Sequence, residues 1–300
     1  MTAKPRVLCV HTSLAAVAPP SRELFDASID YRICSDAPRV WRRLERLLRF
    51  DLLLAIRAKQ LAKDFDVIWA GSEIVGLPLA CLRPQCPIIT IAHRIGAFPR
   101  RQLLRATGLH RAWRQVGYLC GADRAEMQAL GFPPDRLFRH ASAPADEFAP
   151  AAPTPEGAVL AAGVSKRDYR TFFAALSEIG DCRAEVYAWS LYGDKLRDGQ
   201  AQVPPCVTLS SPVPRAQMPA VFSRAAFVVV PLLRDKQYSA GMTVIFEAAC
   251  AARAVIATRT PGTEEFVVDR ETGMLVPPGD PVALAQAIRE LKRNPELAAE

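Results

Sequence analysis

No stretch of the 300 residues approaches the roughly 18 consecutive apolar positions that a membrane-spanning helix needs. No Cys-x-x-Cys pair occurs among the eight cysteines, and the four histidines form no metal-ligand spacing, so neither a metal site nor a disulfide framework is expected. Internal repeats of solenoid period are absent, as is low-complexity sequence beyond one short Pro/Ala stretch. An RNA-binding signature and a helix-turn-helix pattern are also missing, which sets nucleic acid aside as a partner. Several cysteines sit inside apolar runs, as in Val7-Leu8-Cys9-Val10 and Ala248-Ala249-Cys250-Ala251. There cysteine acts as a small buried hydrophobe, and a reducing cytoplasm is the expected compartment. Lys4 and Arg6 ahead of a mildly apolar stretch look superficially like a signal peptide, but His11, Thr12 and Ser13 interrupt it and it reads as a buried first strand.

What is present is a folded chain of domain-pair length. Half the residues are apolar and 23% are charged, which excludes a disordered or fibrous chain. The net charge of +7 is unevenly placed: residues 1–150 hold 22 Lys and Arg against 14 Asp and Glu, and residues 151–300 hold 16 against 17. Short β-branched runs alternate with longer amphipathic ones, the pattern of parallel sheets covered by helices. Strands are expected over 6–11, 66–69, 87–91 and 117–119, with a helix over 122–130 closed by Gly131 ahead of Pro133-Pro134. The Pro/Ala-rich 149–157 is expected to join a domain 1–150 to a domain 151–300. In the latter, strands are expected over 158–161, 184–188, 226–230 and 254–257, and helices over 169–179, 219–225, 243–251 and 281–292. The expected fold class is α/β, two Rossmann-like doubly wound domains facing each other across a cleft, with ligands beyond the carboxyl ends of strands.

Three places carry candidate chemistry. In Ser239-Ala240-Gly241-Met242-Thr243 a polar loop opens a helix, and Gly241 permits a tight turn and a close approach to a ligand. Free amides at the helix start suit an anion such as a diphosphate. Glu247, one turn beyond Thr243, is placed to accept hydrogen bonds from a pair of sugar hydroxyls, unless the small residues only cap the helix and Glu247 faces water. In Gly163-Val164-Ser165-Lys166-Arg167-Asp168 two cations stand after a strand, suited to a phosphate or else a solvated pair. His93 directly follows an apolar strand, where it would orient a reacting group or satisfy strand-end hydrogen bonds.

The chain resembles the family-4 type of glycosyltransferase (glycosyl transferases group 1). The resemblance rests on Phe246-Glu247-Ala248-Ala249, Ala254-Val255-Ile256-Ala257-Thr258, Gly262-Thr263-Glu264 and Met274-Leu275-Val276-Pro277-Pro278-Gly279-Asp280, and more loosely on Asp146-Glu147-Phe148-Ala149-Pro150. It implies a GT-B fold and a nucleotide-sugar donor as substrate rather than cofactor. Glu247 matches the second glutamate of the family's E-x7-E motif, which implies that it holds the donor ribose; Ser239 stands where the family has its first glutamate. Arg167 matches the family's basic residue on the donor diphosphate, with Lys166 as its neighbour, and His93 falls where the family often has an active-site histidine. Two departures stand out: the loop His11-Thr12-Ser13-Leu14-Ala15-Ala16 lacks the family's paired glycines, and the chain stops at Glu300 where closing helices usually follow.

The basic half has two amphipathic stretches. Arg39 to Lys63 interleaves eight cations with Trp41 and several leucines, and Arg100 to Arg114 holds five arginines with Leu103, Leu104 and Trp113 and no acid. Such stretches lie on anionic membrane surfaces, or bury one face in an ordinary core. The resulting expectation is a metal-independent, retaining glycosyltransferase of the cytoplasm, peripheral at the inner membrane face. Its donor side would use Lys166, Arg167, Ser239, Gly241, Met242, Thr243 and Glu247, with His93 and Arg167 catalytic and a glycan or lipid-linked acceptor held by the first domain. Two alternatives stay open: a non-catalytic nucleotide- or glycan-binding protein of the same fold, and a sugar-nucleotide epimerase.

Overall fold

The computed structural model describes residues 6–10, 27–29, 50–95, 100–140, 148–152, 154–188, 202–210, 213–235 and 237–299. The chain divides into two compact units, Met1–Ser142 and Ala143–Glu300. Residues 149–157, expected to be a linker, therefore lie in the second unit, as does the preceding Phe148. There Phe148 joins the core and the buried Arg253 guanidinium donates to the carbonyls of Ala151 and Ala152. Prolines that look like connector chemistry are here a strap tied down by backbone acceptors. The His11–Ala16 loop, Asp146-Glu147 and the Arg39–Arg49 part of the basic stretch lie outside the described residues.

The first unit is built on a parallel six-stranded sheet in the order β2-β1-β3-β4-β5-β6. Its strands are β1 (Val7–Val10), β2 (Ala27–Ile29), β3 (Val67–Ala70), β4 (Ile88–Ile91), β5 (Trp113–Tyr118) and β6 (Leu137–Arg139). Helices α1 (Leu52–Leu61), α2 (Glu73–Leu82), α3 (Arg100–Thr107) and α4 (Gly121–Ala129) accompany it. Strand β5 starts at Trp113, four residues before the expected 117, because Trp113 is wholly buried and its indole donates to the Gly76 carbonyl at 2.9 Å. Helix α2 carries Pro78 in its interior, which leaves the Ile74 carbonyl without its helical donor. The Asp51 amide supplies one instead, at 3.1 Å.

The second unit has a parallel sheet in the order β12-β11-β10-β7-β8-β9, from β7 (Val159–Ala162), β8 (Ala184–Tyr187), β9 (Val207–Leu209), β10 (Phe227–Val230), β11 (Val255–Thr258) and β12 (Met274–Val276). Helices α5 (Tyr169–Ile179), α6 (Met218–Ser223), α7 (Met242–Cys250), α8 (Pro281–Arg293) and α9 (Pro295–Ala299) accompany these strands. Its central strands β7 and β10 are apolar and buried along their whole length because both faces are covered. Val159, Ala161, Phe227 and Val229 enter one core, while Leu160, Ala162, Val228 and Val230 enter the other. Counted from β7, this is the Rossmann strand order, with the chain reversing direction across the sheet between β7 and β10. The carboxyl ends of those two strands are where such a sheet binds its ligand.

Candidate functional site

Two loops leave the sheet at that reversal point. The loop after β7 runs Gly163 to Asp168, and the loop after β10 runs Pro231 to Gly241. They are zipped together: Arg167 and Leu232 form an antiparallel bridge, Asp168 N–H donates to Pro231 O at 2.9 Å, and Leu233 N–H donates to Lys166 O at 2.9 Å. Lys166 Nζ lies 2.5 Å from an Asp235 carboxylate oxygen, and Ser165 Oγ donates to Gln237 Oε1 at 3.2 Å. The Lys166 charge is thus balanced within the loop, whereas no described acid forms an ion pair with Arg167. Its Nε donates to Ala162 O and its Nη1 to Ser165 O, both at 2.9 Å. This fold-back requires a glycine at 163, since a Cβ there would stand 2.8 Å from Arg167 Nη2. Burial draws the Arg167 pKa down, and the nearby Tyr169 and Glu247 oppose that.

Helix α7 opens at Gly241, whose φ of +88° and close approach to Val230 Cγ1 (2.8 Å from where a Cβ would stand) exclude a side chain. No side chain caps this helix and no acid occupies its first turn. The Met242 amide makes only a long bond to the Ser239 carbonyl, 3.4 Å, so the first-turn amides and the positive dipole end can turn to an anion. Met242 is buried, while Thr243 is exposed and Ser239 half-buried. The preceding loop is seated by Gly262, where a Cβ would collide with the Tyr238 carbonyl.

Glu247 is 4% exposed, which removes the reading of a solvated side chain. Arg215 Nη2 stands 2.8 Å from its Oε1. Burial pushes the Glu247 carboxyl up from its ordinary value, and Arg215 and then Arg167 pull it back. The structure therefore brings Arg167, the α7 amino terminus and Glu247 to one edge of the second sheet. Arg215 was not a sequence candidate. Its significance lies in a contact 32 positions away, and only the need of a buried glutamate for a cation could have prompted the search.

His93 lies in the first unit, at the carboxyl end of β4, and is described there alone. Its backbone N–H donates to Glu73 Oε2 at 2.9 Å, and its Nε2 lies 3.1 Å from the Gly71 carbonyl. That carbonyl needs a donor, so the proton sits on Nε2 and Nδ1 is left as the acceptor. Glu73, 1% exposed, forms a buried ion pair with Arg100 at 2.7 Å. Asp123 is 7% exposed and accepts from Cys120 Sγ at 3.2 Å; burial pushes its pKa up to about 6, against the pull of Cys120 and His93. The sequence reading missed Glu73, Arg100 and Asp123 as parts of this cluster.

Where they are described, the basic stretches turn most of their apolar residues inward, Ile56 being exposed. Leu104 and Trp113 are wholly buried, Arg100 is spent on Glu73, and Leu54, Ala55 and Ala58 fill the core under α1. Arg57, Lys59, Lys63, Arg105, Arg111 and Arg114 are exposed. Among the described residues no helix is long and apolar enough to cross a membrane.

Comparison with known proteins agrees with the fold. Residues 160–294, within the second unit, match the model of the family glycosyl transferases group 1. Over 98% of the chain the fold is similar to HepE from Anabaena, solved in complex with UDP-glucose, at a TM-score of 0.72 and 16% identity, covering 92% of that chain. It is also similar to sucrose-phosphate synthase from Thermosynechococcus elongatus, at a TM-score of 0.65 and 21% identity over 83% of this chain and 70% of that one. A glycosyltransferase from Rickettsia africae ESF-5 matches over 99% of this chain and 91% of that one, at a TM-score of 0.62 and 14% identity. The chain has the GT-B fold. No curated protein matches it.

Proposed function

We propose that the chain is a glycosyltransferase that takes a sugar from a nucleotide-sugar bound by its second unit and passes it, with retention, to a glycan or lipid-linked acceptor. The observation that carries this reading is the meeting of Arg167, the uncapped start of α7 and the buried Glu247 at the reversal point of a Rossmann sheet. HepE, a protein of like fold, was solved in complex with UDP-glucose, and the family match covers most of the second unit.

In this reading the diphosphate rests on the amides of Met242, Thr243 and Val244 and on the Arg167 guanidinium, which meet the charge that develops as the nucleotide departs. No metal ion is called for, so turnover is expected to survive chelation with EDTA. Glu247 accepts from the ribose hydroxyls, Ser239 reaches toward the donor sugar, and Lys166 sets the loop that carries Arg167. His93 Nδ1 is the acceptor left for a hydroxyl of the sugar or the acceptor. The exposed arginines and lysines of the first unit favour an anionic surface, consistent with a lipid-linked acceptor.

The test is calorimetric titration of the full chain with UDP-, GDP- and ADP-sugars, paired with a donor-hydrolysis and product assay. Glu247→Ala is expected to weaken binding at least tenfold, about 1.4 kcal/mol. Binding of none of these donors overturns the proposal. Ser239, a hydroxyl where the family has a carboxylate, favours one second reading, a protein that binds the donor without transferring it; saturable binding with no turnover on any acceptor would establish that. An epimerised donor among the products would establish the epimerase instead.

A further inference from the structure

Glu247 and Arg215 form an unequal pair. The glutamate side chain is 5% exposed and the arginine side chain 41%, so the carboxylate is fixed in the unit and the cation reaches it from the surface. Arg215 stands in a single 3₁₀ turn, Arg215–Gln217, between β9 and α6, set up by the extended Pro214. Its Nη2 stands 2.8 Å from Oε1 as an ion pair, yet Oε1 is buried without a hydrogen-bond donor among the described residues.

We infer that Arg215 is a positioning residue of the donor site: its charge, set against the Glu247 carboxylate, keeps that carboxylate ionised and in place, with acceptor capacity left for the hydroxyls of a nucleotide ribose. This deepens the donor reading and rests on it. A buried carboxylate without a partner is costly, and the usual relief is to take up a proton. A protonated carboxyl offers one oxygen as a donor and loses much of its capacity to accept. Two hydroxyls on neighbouring carbons both need acceptors, so the site works only while Glu247 stays ionised. The charged groups acting on it are Arg215, ahead of α6, and Arg167, after β7. Arg167 is already committed to the carbonyls of Ala162 and Ser165. Arg215 is thus the cation whose removal leaves the carboxylate without a direct partner. Since a carboxylate oxygen accepts more than one hydrogen bond, the arginine need not leave when the nucleotide arrives.

The experiment titrates UDP, GDP and ADP into the full chain between about pH 5.5 and 8.5, and compares wild type with Arg215→Gln, Arg215→Lys, Glu247→Gln and the Arg215→Gln/Glu247→Gln double variant. Thermal melts confirm that each variant is folded. Arg215→Gln is expected to weaken the best-bound nucleotide at least tenfold near pH 7, with the loss shrinking toward pH 8.5 as Glu247 ionises again. Arg215→Lys is expected to retain most of the affinity, and the effect of Arg215→Gln is expected to vanish once Glu247 is glutamine. A carboxyl-carbon NMR titration of the nucleotide-free protein should find Glu247 titrating at higher pH in Arg215→Gln than in wild type. Affinity within twofold of wild type at every pH overturns the inference and leaves the donor reading standing. So does a pH-independent loss that persists in the Glu247→Gln background, which would make Arg215 a direct nucleotide contact. Wild-type protein that binds none of the three nucleotides overturns the donor reading and this inference together.

Discussion

Asp123 holds the most displaced described carboxyl of the first unit, and its effect on stability has a definite sign. Its folded pKa of about 6 stands above the ordinary 3.8. Between those values the folded chain keeps a proton that the unfolded chain has released, so stability falls as pH rises through that window. Asp123→Asn should remove this slope, leaving the variant equal to wild type below about pH 4 and more stable at neutral pH by at most about 3 kcal/mol. Urea unfolding at a series of pH values reads this, and parallel profiles for the two proteins would contradict it. Residues of this kind divide sharply in how far the sequence announces them. Glu247 and Arg167 stand in motifs with a fixed place in the chain, so their meeting was legible. Glu73, Arg100, Asp123 and Arg215 acquire meaning only from burial and from partners distant in sequence, and a lone acid or arginine carries no sign of either.

At the level of elements, the start of α7 is where chain geometry and ligand chemistry coincide. Gly241 has a left-handed φ of +88° and no room for a Cβ against Val230. Gly241→Ala is expected to cost about 1–2 kcal/mol of backbone strain, before any overlap with Val230. That corresponds to a melting temperature lower by several degrees, at roughly 2–4 °C per kcal/mol for a chain of this order. It should also weaken nucleotide binding by displacing the first-turn amides; unchanged melting and affinity would contradict both. The longer apolar strands and the amphipathic helices were readable from their periods. The three-residue strands β2, β6, β9 and β12 were not, because three residues are too few to show alternation. Helix α2 was hidden by Gly76 and Pro78, both helix-unfavourable. The fold needs them, for a Cβ at Gly76 would stand 2.0 Å from Thr90 Oγ1, and Asp51 compensates the proline.

For the whole molecule, the charge division is sharper than the sequence halves suggest. Placing the boundary after Ser142 moves Asp146 and Glu147 to the second unit, giving +10 on residues 1–142 and −3 on residues 143–300. In the proposed reading a unit of negative net charge would bind a diphosphate with local means, Arg167 and helix amides, while the other presents exposed cations beside apolar residues that, Ile56 apart, are mostly turned into its core where described. Adsorption to anionic vesicles should accordingly be electrostatic and reversed by about 0.5 M salt, where the screening length falls below roughly 5 Å. Sedimentation with vesicles checks this, and salt-resistant binding would point to inserted side chains instead. The central claim remains that the second unit holds the nucleotide-sugar at the carboxyl ends of β7 and β10. Backbone amide shifts of the isotope-labelled full chain during titration with the tightest-bound UDP-, GDP- or ADP-sugar test it most directly. The account predicts saturable shifts concentrated at Gly163–Arg167, Arg215–Gln217 and Ser239–Glu247; shifts confined to residues 1–142, or none at saturating donor, would contradict it.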